Sequence, residues 1–294
     1  MKNPFSNIDG IKVIMEEGLA KHTTFNIGGA AHYFVYVYSK KALKEVLKTV
    51  MHRHLRYFII GAGTNLLVSD QGFRGVVLKL GGTLKRMTLR NGLCRCGGGM
   101  LIKDFLDRTM KKGYGGAEFL AGIPGTLGGA IKGNAGAFGN SISDITEKVF
   151  LMNQYGVEET RTKTEVGFSY RNSHIKKWEF VTAVQLILKK QNRKSILRRL
   201  NRNLKSRQRK HPKGFSAGSF FKNPPGRAAG KLIEDCGFKG RSVGDAMVSE
   251  KHGNYIINRG NARAADVLAL AGQIKEKVRA KTGISLQREV ILLR

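Results

Sequence analysis

Acidic side chains are scarce. The 294 residues include 21 Asp and Glu against 52 Lys and Arg, a formal net charge of +31. So strong a positive field attracts polyanions and speeds their encounter. It also favours loose binding to nucleic acid, which makes a basic nucleic-acid-binding protein the rival to any enzymatic reading. Proline is rare at 5 residues, whereas glycine reaches 37. The glycines sit in short clusters without a period, which excludes collagen-like and low-complexity chains. Cys94, Cys96 and Cys236 are odd in number and fit neither a metal-ligand spacing nor a disulfide framework, so reduced thiols are expected. No apolar run is long enough to span a bilayer (Tyr33 to Tyr38 is among the longest), and residues 1–10 hold no apolar core of signal-peptide length. A cytoplasmic protein without a membrane partner is expected.

What is present suffices for a large core or two ordinary ones, since 41% of residues are hydrophobic. Tyr33 to Tyr38 predicts a strand. Ser39 is placed to cap a helix from Lys40 to about Arg53, with Leu43, Val46, Leu47 and Val50 on one face. Strands are predicted over 57–60 and 76–80, and a helix over 101–112 with Gly113 as its stop. Strands resume over 148–153 and 180–188. A helix follows over 193–210, where Ile196, Leu200 and Leu204 recur every fourth residue. Residues 191–213 hold ten Lys or Arg and no acid; a domain boundary falls in or just before them. Beyond it, a short helix is predicted over 230–236 and a strand over 255–258. A long helix follows over 262–281, capped by Asn261, and then a last strand over 286–293. The class is α+β in two domains joined by a basic helix.

Two glycine-rich segments stand out. Gly61-Ala-Gly-Thr-Asn65 follows a short buried strand and reads equally as a tight turn or as main chain held against a phosphate. It is not a nicotinamide dinucleotide fingerprint, because Leu66 stands at the third glycine and Leu66-Leu-Val68 continues as a strand. It is not a Walker loop, because no Gly-Lys-Ser/Thr follows. Gly122-Ile-Pro-Gly-Thr-Leu-Gly-Gly129 and Gly133-Asn-Ala-Gly-Ala-Phe-Gly139 are denser. So much glycine costs backbone entropy, tolerated where main chain must approach something flat or anionic. Two such loops suit a dinucleotide as long as FAD. Three further segments carry polar groups: Ser169-Tyr-Arg-Asn-Ser173, Ala217-Gly-Ser-Phe-Phe-Lys-Asn-Pro224 and Leu286-Gln-Arg-Glu-Val290. Taken singly, these read as a solvated turn, a core strand and a strand-end carboxylate. Together they supply an arginine, a hydroxyl and a carboxyl.

In order along the chain, Thr23-Thr-Phe-Asn-Ile-Gly-Gly29, Gly61-Ala-Gly-Thr-Asn-Leu-Leu67, Gly72-Phe-Arg-Gly75 and Glu118-Phe-Leu-Ala-Gly-Ile-Pro-Gly-Thr126 are followed by Asn134-Ala-Gly136, Tyr170-Arg171, Ala217 to Pro224, Lys251-His252 and Leu286 to Val290. This series resembles the UDP-N-acetylenolpyruvoylglucosamine reductase family from about residue 20 to the end. The resemblance implies an FAD-binding domain of the vanillyl-alcohol-oxidase (PCMH) type over 27–190, after an N-terminal segment 1–26. It implies a smaller α/β substrate-binding domain over 214–294, with 191–213 as a basic helical connector. Residues 191–214 contain no Tyr, and only 47 residues separate Arg171 from Ser219, as in the family's shorter form.

The resemblance also implies roles. Flavin contacts fall to Asn26, Ile27 and Gly28; to Gly61, Ala62, Gly63, Thr64, Asn65 and Leu66; to Gly122, Ile123, Pro124, Gly125, Thr126, Gly128 and Gly129; and to Asn134, Ala135 and Gly136. Arg171, Ser219 and Glu289 carry catalysis: Arg171 supplies charge, Glu289 aids it and Ser219 delivers a proton. Tyr170, Lys222, Asn223 and His252 hold substrate. The implied reaction reduces the enolpyruvyl ether of a UDP-sugar with bound FAD and hydride from NADPH, by a monomer with no specific nucleic-acid partner and no metal. The chain departs from the family at Ala30, where Pro is common, at Thr64, where Ser is usual, and at Lys132 and Gly133, in a stretch normally apolar. Against the rival, residues 191–213 lack interleaved aromatics and the chain has no nucleic-acid recognition motif.

Overall fold

The computed structural model describes residues 3–294. The chain forms two compact units, each discontinuous in sequence. The first contains residues up to Met15, Tyr33–Ala62 and Gly75–Ser206; the second contains Glu16–His32, Gly63–Arg74 and Arg207–Arg294.

In the first unit, the helix Lys40–His52 starts where Ser39 accepts a hydrogen bond from the Ala42 amide at 3.1 Å. Its Leu43, Val46, Leu47 and Val50 are buried with Val35, Val76 and Leu78, the face that the 3.6-residue period predicts. A second core lies on a five-stranded antiparallel sheet in the order Glu158–Thr162, Thr146–Met152, Phe180–Ile187, Leu93–Gly97, Met87–Arg90. Cys94, Val149 and Val184 from this sheet are buried with Phe105 of the helix Ile102–Lys111 and Ile131 of the short helix Leu127–Lys132. All three cysteines are free and buried.

In the second unit, helices Ala229–Asp235 and Ala264–Thr282 share a core with the antiparallel strands Ser242–Val243, Ala246–Val248 and Ile256–Asn258. Residues 63–74 are tied to the C-terminus, because the strand Leu66–Val68 pairs in parallel with Ile291–Leu293. Residues 16–32 are tied in by the Asn258 side-chain amide, which donates to the Phe25 carbonyl at 3.1 Å.

Several elements differ from the sequence expectation. The strand Ile11–Gly18 was not predicted. The long helix starts at Ala264, not after Asn261. Its first amides are taken by acids: Asp70 accepts from Ala264 at 2.7 Å and Ala265 at 3.1 Å, and Asp266 accepts from Arg263 at 2.9 Å. A carboxylate suits the positive end of a helix better than an amide does. The last strand is only Ile291–Leu293, because Gln287 and Glu289 instead exchange main-chain hydrogen bonds with Lys222 and Phe220. The basic helix spans Arg193–Lys210, yet Leu204 is 39% exposed and Asn203 is buried, donating to the Glu118 carbonyl at 2.9 Å. At about 100° per residue, position 203 returns to within about 20° of Ile196, whereas position 204 drifts about 80° away.

Candidate functional site

In the first unit, the dense glycine segment folds back on a second one. The Gly128 amide donates to the Gly98 carbonyl and the Leu127 amide to Met100, both at 2.8 Å. A Cβ on Gly98 would lie 1.8 Å from the Val181 carbonyl oxygen. Main chain therefore meets main chain with no side chain between. Thr126 caps the short helix by accepting from the Gly129 amide at 3.2 Å. Gly122, Pro124 and Gly129 are exposed, so this turn presents bare backbone.

Beside it, Asn134 braces the arginine turn. Its side-chain amide donates to the Ser169 carbonyl at 2.9 Å, and its side-chain oxygen accepts from the Ser143 amide at 3.3 Å. Ser169 and Asn172 close the turn with a mutual pair of main-chain hydrogen bonds. Arg171 adopts φ 53°, and its Nη1 donates back to the Gly136 carbonyl at 3.1 Å. Its guanidinium carbon lies 5.6 Å from the Tyr170 ring centroid, and Tyr170 is exposed. Lys132 extends the brace: its Nζ donates to the Lys176 carbonyl at 3.1 Å, and its own carbonyl accepts from the Ser173 hydroxyl at 2.9 Å. Burial pushes the Lys132 amine down, with Glu179 opposing.

In the second unit, Gly63 has φ +65°, and a Cβ there would lie 2.0 Å from the His22 carbonyl oxygen. Its own carbonyl accepts from the Thr24 amide at 3.1 Å, joining the Thr23–Gly29 segment to the 63–66 loop. Asn65 reaches onward, its side-chain amide donating to the Glu289 carbonyl at 3.1 Å. Glu289 in turn donates its amide to the Phe220 carbonyl at 2.9 Å, next to Ser219. The segments that carry Asn26, Gly63, Asn65, Ser219 and Glu289 are thus joined by one hydrogen-bonded network. Buried Asn254 holds the Ser219 segment from its other side. It accepts from the Phe221 amide at 2.9 Å and donates to the Phe221 carbonyl at 2.8 Å.

The Lys222 amide donates to the Gln287 carbonyl at 2.8 Å, while Asn223 accepts from the Ala229 amide at 3.0 Å, at the start of helix Ala229–Asp235. His252 accepts from the Asn254 amide at 3.1 Å, and burial pushes its imidazole down. His211 lies beside it, hydrogen-bonded to the Tyr255 hydroxyl. Burial, then the charges of Arg207, His252, Lys210 and Lys251, push His211 down to about 4.

Of the residues anticipated from sequence, the structure joins the segments of Ser219, Glu289, Asn65 and Thr23–Gly29 in the second unit. It brings Arg171, Asn134 and Gly136 together in the first. Sequence reasoning missed Gly97 to Gly99, Asn254, Asn258 and Asp70. Of these only Gly97-Gly98-Gly99 left a local signal, three glycines in succession.

Residues 210–293 match a family model described as UDP-N-acetylenolpyruvoylglucosamine reductase, C-terminal domain, and residues 31–157 match one described as FAD binding domain. The chain is 38% identical over 285 residues to UDP-N-acetylenolpyruvoylglucosamine reductase of Bacillus subtilis (strain 168), covering 96% of this chain and 94% of that protein. It is 36% identical to the solved UDP-N-acetylenolpyruvylglucosamine reductase from Thermus caldophilus, with a TM-score of 0.84 over 97% of this chain and 99% of the other. Cholesterol oxidase from Brevibacterium sterolicum shares the fold alone, at 13% identity and a TM-score of 0.50 over 64% of this chain and 39% of the other. The fold is α+β with an FAD-binding domain, as the resemblance implied.

Proposed function

The chain belongs to the UDP-N-acetylenolpyruvoylglucosamine reductase family, and from that membership we propose that it reduces the enolpyruvyl ether of UDP-N-acetylglucosamine to UDP-N-acetylmuramate, a step in peptidoglycan synthesis. FAD is its bound cofactor and NADPH its reductant. Residues 27–190 serve the cofactor and 214–294 the substrate, in a cytoplasmic monomer. What supports the reading within the structure is the hydrogen-bonded network in which Glu289 bonds to Phe220, the neighbour of Ser219, and Asn65 and Gly63 continue to the Thr23–Gly29 segment.

The residues present fit a flavin dinucleotide. The exposed Gly122, Pro124 and Gly129 offer backbone with little side chain over it, of the kind a pyrophosphate and a flat ring require. Gly122 to Gly129, Asn134 to Gly136, Asn26 to Gly28 and Gly61 to Leu66 would hold it. When bound, FAD would supply the two-electron redox chemistry that links NADPH to the alkene of the substrate.

The chain's own residues handle charge and the proton. Hydride arriving at the methylene carbon moves electron density onto the neighbouring carbon and its carboxylate. Fixed cationic donors at that place lower the barrier most, and Arg171 is proposed as that donor. Ser219 holds the proton that completes the new C–H bond, acting as general acid. Glu289 supports the developing charge when its carboxyl is protonated or bridged to a donor. Tyr170, Lys222, Asn223 and His252 orient the nucleotide sugar.

The test is anaerobic stopped-flow absorbance of the purified yellow protein. NADPH should bleach the flavin, and the enolpyruvyl UDP-sugar should restore its colour stoichiometrically. A colourless chain, or reduced flavin that the UDP-sugar leaves untouched, overturns the proposal.

A further inference from the structure

The helix Arg193–Lys210 contains no Asp or Glu, and its cations are spread around it, most densely on the outer face. Arg199 turns inward and pairs with Glu118 at 2.6 Å, beside buried Ile196 and Asn203. Lys194, Arg198, Arg202 and Lys205 lie on the opposite face, exposed, and form no ion pair among the described residues. They recur about once per turn, so a row of charge about 6 Å apart runs along the helix. Leu197 and Leu204 flank that row, 45% and 39% exposed. Seven residues separate the two leucines, which puts them on one side within about 20° of each other. Neither leucine has a place in the core, and no acid offsets the row.

We propose that this face is a docking surface for an anionic phospholipid surface, with the helix lying along the headgroup plane. Clustered Lys and Arg on an amphipathic helix are drawn to anionic headgroups, and apolar side chains beside them enter the acyl boundary. The two exposed leucines distinguish this partner from nucleic acid. A phosphate backbone gives them nothing to bury against, and the helix carries no aromatic side chain on which a base would stack. The net charge of +31 strengthens the approach to such a surface, and the helix fixes which side arrives first. The attachment is peripheral, since no helix among the described residues is long and apolar enough to cross a membrane. It is independent of the proposed reductase chemistry and of the residues assigned to it.

The experiment is vesicle flotation of the FAD-loaded full chain. Vesicles of phosphatidylcholine are compared with vesicles in which a third of the lipid is phosphatidylglycerol. The anionic vesicles should bind at least about tenfold more protein, and binding should fall between about 50 and about 500 mM salt. The variant Lys194→Glu/Arg198→Glu/Arg202→Glu/Lys205→Glu should lose that binding while keeping flavin absorbance and turnover. A charge-matched control, Lys163→Glu/Lys275→Glu/Lys277→Glu/Arg279→Glu, should keep most of it. Equal binding to both vesicle types, or equal loss in both variants, overturns the proposal. So does a single-stranded RNA oligonucleotide that displaces the protein from anionic vesicles at equal phosphate concentration.

Discussion

Asn254→Ala should damage both stability and the protonation step, and the structure sets the size of each effect. The Asn254 side chain satisfies both main-chain groups of Phe221, at 2.9 and 2.8 Å, and Phe221 is itself 1% exposed. Alanine leaves that N–H and that C=O buried without their partner. Each such group costs about 1–3 kcal/mol, so the pair predicts a loss of about 2–6 kcal/mol. The same clasp positions the segment that carries Ser219, together with the Phe220 amide donating to the Asn254 carbonyl at 2.8 Å. A shift of about 1 Å in a reacting group can cost on the order of 10²-fold in rate. Asn254→Asp keeps the acceptor for the Phe221 amide but sets a second oxygen against the Phe221 carbonyl, so it should do no better. Asn203→Ala serves as the control, because it removes a buried amide in the first unit and leaves the Phe221 clasp in place. Urea unfolding read by circular dichroism gives the stability change, and stopped-flow reoxidation of reduced flavin gives the rate. If Asn254→Ala unfolds within about 0.5 kcal/mol of the parent and reoxidises at the parent rate, the clasp is not what positions Ser219.

Ser219→Ala should leave flavin reduction by NADPH intact and slow reoxidation by the UDP-sugar about 10²–10⁴-fold, the usual worth of a general acid; undiminished turnover removes Ser219 from the mechanism. Arg171→Lys replaces a planar fork with a point charge and loses the geometry that bonds the Gly136 carbonyl, so turnover should fall at least about tenfold in the same assay; a near-normal rate rejects the assignment. Gly63→Ala combines a left-handed φ, costing about 1–2 kcal/mol, with a Cβ 2.0 Å from the His22 carbonyl oxygen, so the purified chain should lose flavin and unfold at lower urea; a yellow protein of parental stability contradicts this. His211, held near 4 by burial first and neighbouring cations second, stays neutral in the folded chain while the unfolded chain takes up a proton below about 6.5. Stability should therefore fall as pH drops from 6.5 towards 4, and His211→Gln should flatten that loss in urea midpoints measured across the window; an unchanged slope refutes the attribution.

Much of the local structure was legible because its causes are local. Ser39 and the apolar spacing of Lys40–His52 lie within four residues of what they determine. The misreadings have distant causes. Asp70 caps a helix 194 residues away, and Leu66–Val68 finds its strand partner at Ile291–Leu293. No periodicity within either segment announces those pairings, so the capping role went to nearby Asn261 and the C-terminal strand was drawn too long. Asn254 was invisible for a related reason: a single buried amide that imitates a strand partner has no pattern around it. The charge row was legible in composition, but its division into an inward Arg199 and an outward face was not, because Asn203 rather than Leu204 takes the inward position.

The glycines show where a motif read from sequence mixes two causes. Gly63 and Gly129 both fell within the segments assigned to a ligand. At Gly63 the surrounding main chain leaves no room for a Cβ, so glycine is required there by packing whether or not anything is bound. At Gly129 the nearest atom to an added Cβ is the Thr126 hydroxyl oxygen at 3.4 Å, and the residue is exposed. Folding therefore makes little demand for glycine there, and the exposed turn leaves open the surface on which the proposed flavin would lie. Packing alone accounts for glycine at position 63 and does not at position 129, although in sequence the two look alike.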